Sequence, residues 1–409
     1  MEFFQVKGVT EAQEELLFHL VERTPRVEKV KLDVAVGRVL AQDIYADQDV
    51  PNFSRSTVDG YAVRAADTFG AGEGLPAYLE VVGEVHMGCW PEWTLHPGTA
   101  VKIPTGGMLP EGADAVVMVE YTEVLEGGTI EVTRPVAPGE NVIRRGEDIA
   151  AGQRVLEQGK TLRPHDVGAL AAAGKEEIPV AVPPRVAILS TGDEVVPPGT
   201  RAEVGQVRDI NGPALAAAVR EDGGNPVLLG IVPDRYEELL GRAKKALEND
   251  LILISGGSSV GTRDVTAGVI EALGPPGILA HGVSVRPGKP TILAVVQGKP
   301  VLGLPGHPAS ALVAYGLFVR PLIRRLLGAE PETFSRPVAA RISRNIASAA
   351  GREDHIRVVL KERNGELWAE PVLGKSGLIS TLVKADGTVV IPAAREGLTE
   401  GEAVKVQLC

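Results

Sequence analysis

Leu251–Asp264 reads LILISGGSSVGTRD: four large apolar residues, then Ser255-Gly256-Gly257-Ser258-Ser259-Val260-Gly261, then a carboxylate at Asp264. Apolar residues in an unbroken run, without alternation, are the pattern of a strand buried on both faces. The following DVTAGVIEAL spaces Val265, Val269, Ile270 and Leu273 on one helical face, so the glycines fall at a strand-to-helix junction. Glycines let a backbone approach a ligand closely, and the free N–H groups at a helix start favour an anion. The alternative is a plain βα turn with Asp264 as its N-cap.

On either side the same rhythm continues. VAILSTGDEV (186–195), a helix from Gly212 to Glu221, VLLGIV (227–232) and a helix from Tyr236 to Glu248 precede LILI. Apolar strands alternating with helices predict a central α/β domain over 183–330 with a mostly parallel sheet. Ligands of such sheets bind beyond the C-terminal strand ends. That gathers the loops at 190–194, 209–211, 232–235 and 255–264. VSVRPGKPTILAVV (283–296) adds Arg286 and Lys289 at a Pro-Gly turn, and VLGLPGHPASALVAY (301–315) adds Pro305, Gly306 and His307. With His281 and Arg263 these cations form a local basic patch for an anion.

Such a patch is needed because the chain as a whole is acidic. Its 409 residues, with 53 acidic against 42 basic side chains and a formal charge of −11, predict several domains and argue against nucleic-acid binding. Two cysteines, Cys89 and Cys409, make neither a disulfide framework nor a zinc site. The N-terminus lacks a signal-peptide pattern and no window approaches a membrane span, so a cytoplasmic location is expected.

Upstream, residues 9–22 start a helix at Thr10 with Ala12, Leu16 and Leu20 on one stripe, and 32–40 suggest a second. Residues 1–45 and 142–182 are expected to form a helical linking domain, interrupted by an inserted β-rich domain over 46–141. Within that insertion Asp59-Gly60, after Ser54, Ser56 and Thr57, reads either as an exposed carboxylate and hydroxyl loop or as an Asp-Gly hairpin turn. Thr105-Gly106-Gly107 makes another turn after a strand. Residues 331–409 alternate as strands of a C-terminal β domain, barrel-like in its expected form.

The sheet-end loops carry Asp193, Glu194, Asp209, Asp234 and Asp264, and the insertion carries Asp59. Oxygen ligands without a Cys or His cluster suit Mg²⁺, which takes one or two carboxylates and shares substrate phosphates. Composition and spacing thus predict an α/β enzyme acting on a phosphorylated anion with Mg²⁺.

Several segments together resemble the molybdopterin molybdenumtransferase family, which includes the C-terminal domain of gephyrin. PNFSRSTVDGYAVR (51–64) is similar to that family's Pro-x-Phe-x-x-Ser-x-Met-Asp-Gly-Tyr-Ala signature. TGGMLPEGADAVVMVE, RRGEDIAAG, AILSTGDEV, SGGSSVGTRD, RPGKP, GLPGHP and SGLISTLVKADGTVVIP follow in the family's order.

The resemblance implies a four-part homodimer with a molybdopterin-binding α/β domain, in which the Asp59 loop of one subunit closes over the Gly-rich site of the other. It implies insertion of molybdate, or tungstate, into adenylylated molybdopterin with release of AMP and a divalent cation, and contact with the adenylylating enzyme. Asp59, Thr105, Glu194, Asp234 and Asp264 would be catalytic, with Glu194, Asp234 and Asp264 on the metal. Ser255, Gly256, Gly257, Ser258, Gly261, Arg286, Lys289, Pro305, Gly306, His307 and Ser376 would bind substrate. Thr57-Val58 stands in place of the family's Ala-Met, Ser258 in place of Val, His281 and Arg286 in place of lysines, and His307 in place of Asn. The alternatives are an adenylylating reaction on the same α/β domain, or a non-catalytic scaffold.

Overall fold

The structure is a computed structural model that describes residues 6–20, 24–256, 265–330 and 337–408. Its centre is a six-stranded sheet in the order Asn225–Val232, Arg185–Thr191, Leu251–Ser255, Lys299–Leu304, Ile292–Val296, Pro276–His281. The first four strands are parallel, and Ile292–Val296 runs antiparallel to both its neighbours, Lys299–Leu304 and Pro276–His281. The mostly parallel sheet expected from the sequence is therefore present, with one antiparallel strand.

The unbroken apolar run at 251–254 is explained by the two layers that cover this sheet. Leu251 and Leu253 face a cluster with Leu215, Val219, Tyr315, Phe318 and Ile323, while Ile252 and Ile254 face Leu239, Ala243, Val269 and Ile270. All four are fully buried, each contributing roughly 1.5–3 kcal/mol of apolar transfer. Helices Asn211–Glu221 and Pro308–Ala314 lie on the first face, Tyr236–Ala246 and Val265–Ala272 on the second.

The region expected to be a helical linking domain differs in two respects. Its N-terminal helix, Val9–Phe18, starts one residue before Thr10 with Gly8 as N-cap. Its buried stripe of Val9, Ala12 and Leu16 enters the first cluster of the sheet, not the core of 142–182. That second core is built by Leu40, Ile44, Leu156, Leu162, Leu170 and Ile178, around the helix Pro164–Ala172 and two antiparallel strand pairs. The helix expected over 32–40 shrinks to one 3-10 turn, Leu32–Val34. Gly37 takes φ +80°, and Val39 and Leu40 bridge to Thr161 and Val180. Valines stiff at χ1 and a left-handed glycine favour that extended course over a helix.

The insertion is a six-stranded mixed sheet with an apolar cluster on each face. The C-terminal strands Val338–Ile342, Glu353–Arg363, Glu366–Pro371, Gly387–Ile391 and Ala403–Leu408 close into a five-stranded barrel, because Glu353–Arg363 pairs with both Glu366–Pro371 and Gly387–Ile391. A further short strand, Val285–Arg286, reaches from the α/β domain and pairs in parallel with Glu353–Asp354. No helix among the described residues is long and apolar enough to cross a membrane.

Candidate active site

The C-terminal ends of the parallel strands and the barrel wall enclose a cleft of about 1760 Å³. Parallel pairing puts Ser190 beside Ser255 and Ser255 beside Leu304, so three strands end at one level and release their loops together.

A polar network then ties those loops. Asn211, buried at the start of its helix, donates from Nδ2 to Ser255 Oγ at 2.8 Å and to the carbonyl of Gly306 at 2.9 Å. Ser190 Oγ donates to Asp209 at 2.8 Å, and Asp209 in turn accepts from the N–H of Gly212 at 2.9 Å. Thr191 Oγ1 donates to Asp234 Oδ1 at 2.5 Å, while the N–H of Asp234 donates to Asp193 at 3.2 Å. Hydroxyls on consecutive residues of one strand thus orient two acidic loops. Gly256 passes between them at φ +116°, where a Cβ would lie 2.1 Å from the carbonyl oxygen of Thr191. Only glycine fits that approach.

Eleven residues picked from the sequence line this cleft: Glu194, Asp209, Asp234, Ser255, Gly256, Arg286, Lys289, Pro305, Gly306, His307 and Ser376. His307 and Ser376, from different domains, meet through Nδ1 and Oγ at 3.0 Å. Gly257, Ser258, Gly261, Arg263 and Asp264 lie outside the described residues. His281 does not line the cleft.

Asp59 and Thr105 are brought to each other, the N–H of Thr105 donating to Asp59 Oδ1 at 2.7 Å. Both are exposed and neither lines the cleft of their own chain. The hairpin alternative for Asp59-Gly60 does not hold, because the flanking strands pair elsewhere: Arg55–Ser56 with Val142–Ile143, and Gly60–Val63 with Thr99–Ile103 and Ala115–Met118.

The barrel wall supplies residues the sequence reading did not single out. Along Glu353–Arg363, Val358 is buried in the barrel core with Ile356 and Leu360 packed against it, while His355 and Arg357 stand on the opposite face and line the cleft. Arg357 donates from Nη2 to the carbonyl of Gly374 at 3.2 Å, whereas its Nε and Nη1 are buried without a hydrogen-bond partner. Burial lowers the pKa of this guanidinium, yet arginine stays charged in proteins. A buried cation with two idle donors is costly unless an anion completes it. The available signal was the alternation of HIRVVLK, which puts a histidine and an arginine on one face of an apolar strand.

Asp354, its side chain 1% exposed, accepts from Arg352 Nε at 2.9 Å and Arg286 Nη1 at 3.5 Å. The Arg286 side chain of the RPGKP loop is thereby held against the barrel.

Among the described residues no three His, Cys, Asp or Glu side chains converge on one point. A pair of cleft carboxylates, Glu194 and Asp234, fits a hard ion that completes its shell with water and substrate phosphates.

Three family models match the chain in order: "MoeA N-terminal region (domain I and II)" over residues 7–174, "Probable molybdopterin binding domain" over 187–325 and "MoeA C-terminal region (domain IV)" over 339–409. A protein of Bacillus subtilis named molybdopterin molybdenumtransferase is 33% identical over 393 residues, covering 95% of this chain and 91% of that relative. One of Nostoc with the same name is 36% identical over 400 residues, covering 96% and 91%. A crystal structure of a MoeA protein from Pyrococcus horikoshii superposes with a TM-score of 0.81 at 41% identity, covering 99% of both chains. A second superposes at 0.86 with 35% identity, covering 99% of this chain and 100% of the other. With the cleft, its carboxylates and the domain order all in agreement, the chain belongs to the molybdopterin molybdenumtransferase (MoeA) family.

Proposed function

We propose that this chain inserts molybdate, or tungstate, into adenylylated molybdopterin with release of AMP. The observation that carries the reading is the cleft itself: acidic loops tethered by Thr191 and Ser190 on one side, and Arg286, Lys289 and the half-idle guanidinium of Arg357 on the other. Ser255, Gly256, Pro305 and Gly306, tied together by Asn211, form the floor on which a pterin phosphate would rest. His307 and Ser376 join that floor to the barrel domain, and the cationic wall would receive the oxyanion.

Glu194 and Asp234, with Asp264, would hold Mg²⁺, which when bound neutralises phosphate charge during cleavage of the phosphoanhydride. The residues themselves orient the phosphates and aim the oxyanion at the dithiolene sulfurs. Asp59 and Thr105, exposed and outside the cleft of their own chain, support a homodimer in which they complete the partner's site. Delivery of the adenylylated pterin involves contact with the adenylylating enzyme.

Purified protein given adenylylated molybdopterin, Mg²⁺ and molybdate is expected to release AMP. Asp264→Ala should lower this by at least about a hundredfold, the scale of losing one electrostatic stabiliser. Tight pterin binding without AMP release, under molybdate and tungstate alike, would replace this reading with a non-catalytic one.

A further inference from the structure

One polar group in the cleft has no part in the scheme above. His355 lies beside Arg357 on the barrel wall, its side chain 10% exposed. Its Nε2 is buried without a hydrogen-bond partner, and the nearest carboxylate oxygen, Glu353 Oε2, is 3.6 Å away, beyond hydrogen-bond length. Its charged surroundings are few. On its own strand they are Arg352, Glu353, Asp354 and Arg357; the adjoining strand Gly387–Ile391 places Val390 opposite it, and the strand Val285–Arg286 brings Arg286 alongside.

Arg352 and Arg286 both reach Asp354, so of the arginines around His355 only Arg357 has buried donors without a partner. The cations of this cleft, Lys289 and Arg286 among them, also face the carboxylates of Glu194 and Asp234 that line it. A neutral imidazole beside Arg357 adds nothing to the compensation of a dianion in a desolvated wall.

We propose that His355 is a further binding residue of this site: it is neutral in the free protein and takes a proton from solvent onto Nε2 when a tetrahedral dianion occupies the cleft, Glu353 holding that proton. Burial holds the imidazole below its ordinary value, against the opposing pull of Glu353 and Asp354, so the free protein carries it uncharged at neutral pH. An incoming dianion adds the charge that tips this balance. Affinity for the oxyanion then rises as the pH falls. The inference rests on the reading that this cleft takes an oxyanion, and the same chemistry is presented by free tungstate and by a phosphate ester.

Calorimetric titration of the full-length protein with sodium tungstate, and separately with AMP, in buffers of different protonation enthalpy between pH 6.5 and 8 counts the protons. Uptake approaching one proton per bound ligand is expected, with affinity falling up to about tenfold per pH unit. His355→Gln and Glu353→Gln should each abolish the uptake and flatten the pH dependence to within about twofold. Uptake with either ligand upholds the assignment and identifies which one contacts this wall. Binding without proton exchange in the wild type, or with uptake unchanged in both variants, removes His355 and leaves the cleft reading standing. Absence of binding by either ligand removes both.

Discussion

The side-chain amide of Asn211 donates to Ser255 Oγ across 2.8 Å, joining the first turn of a helix to the last residue of the central strand. The same nitrogen reaches the carbonyl of Gly306, so one buried group fixes the ends of three segments that form the floor of the cleft. Asn211→Ala leaves those acceptors without their donor. The variant should lose about 1–3 kcal/mol of stability in urea unfolding and bind pterin more weakly. An unchanged unfolding midpoint would show that the three segments hold their places without it.

Gly256→Ala introduces a Cβ 2.1 Å from a backbone oxygen at φ +116°. Backbone cannot yield as a flexible side chain can, so a penalty of at least about 1–3 kcal/mol is expected, together with loss of AMP release. The neighbouring Gly306, whose Cβ would come no closer than 3.8 Å to Gly256, should accept alanine with far less effect on stability. Thermal unfolding of the two variants side by side separates the cases.

Arg357 is expected to show opposite signs for stability and binding. Arg357→Met removes a buried cation with two unpartnered nitrogens, so the unliganded variant should unfold at the same or a higher urea concentration. Its affinity for tungstate should fall at least about tenfold, the scale of a lost charge-assisted hydrogen bond. A destabilised variant that kept full affinity would contradict both halves.

Asp59 and Asp234 offer a test of whether sites are shared. Co-expressed Asp59→Ala and Asp234→Ala chains pair at random, and a mixed dimer with shared sites regains one intact site. Activity should return to about a quarter of the wild-type level, whereas sites contained within one chain give none.

A pH effect on stability resides outside the cleft lining, at Asp166. Burial would raise this carboxyl, but hydrogen bonds from Arg163 and Lys160 outweigh it and hold the pKa well below the usual carboxylate range. A depressed carboxylate contributes stability that is present above its unfolded pKa near 4 and lost as the pH falls below it. Asp166→Asn should therefore destabilise clearly at pH 7 and progressively less towards pH 3, as read from unfolding midpoints.

The parts of the fold set by local pattern were legible in the chain itself. Leu251–Ile254 announced a strand covered on both faces, and the loops at its C-terminal edge followed from parallel topology. What escaped was set by partners distant in sequence. Ala12 and Leu16 mark a helical stripe, but nothing local says that it packs on the sheet and not on residues 142–182. Leu32–Leu40 looked helical until Thr161 and Val180 drew Val39 and Leu40 into bridges. Arg357 was not singled out at all, because an arginine on an alternating strand carries no local mark of the burial that leaves its Nε and Nη1 without partners. Asp59 and Thr105 stand in separate turns of the sequence, and the hydrogen bond that joins them depends on strand pairing across the inserted sheet.

The short strand Val285–Arg286 belongs to the α/β domain by sequence and to the barrel by hydrogen bonding, with Arg286 held on the barrel's Asp354. Modular dissection of the chain therefore has a hidden cost. A fragment ending at residue 330 would retain every strand of the central sheet and still lose the partner strand and carboxylate on which the Arg286 loop rests, so if that loop holds the oxyanion, pterin binding and oxyanion binding should part company when the barrel is removed.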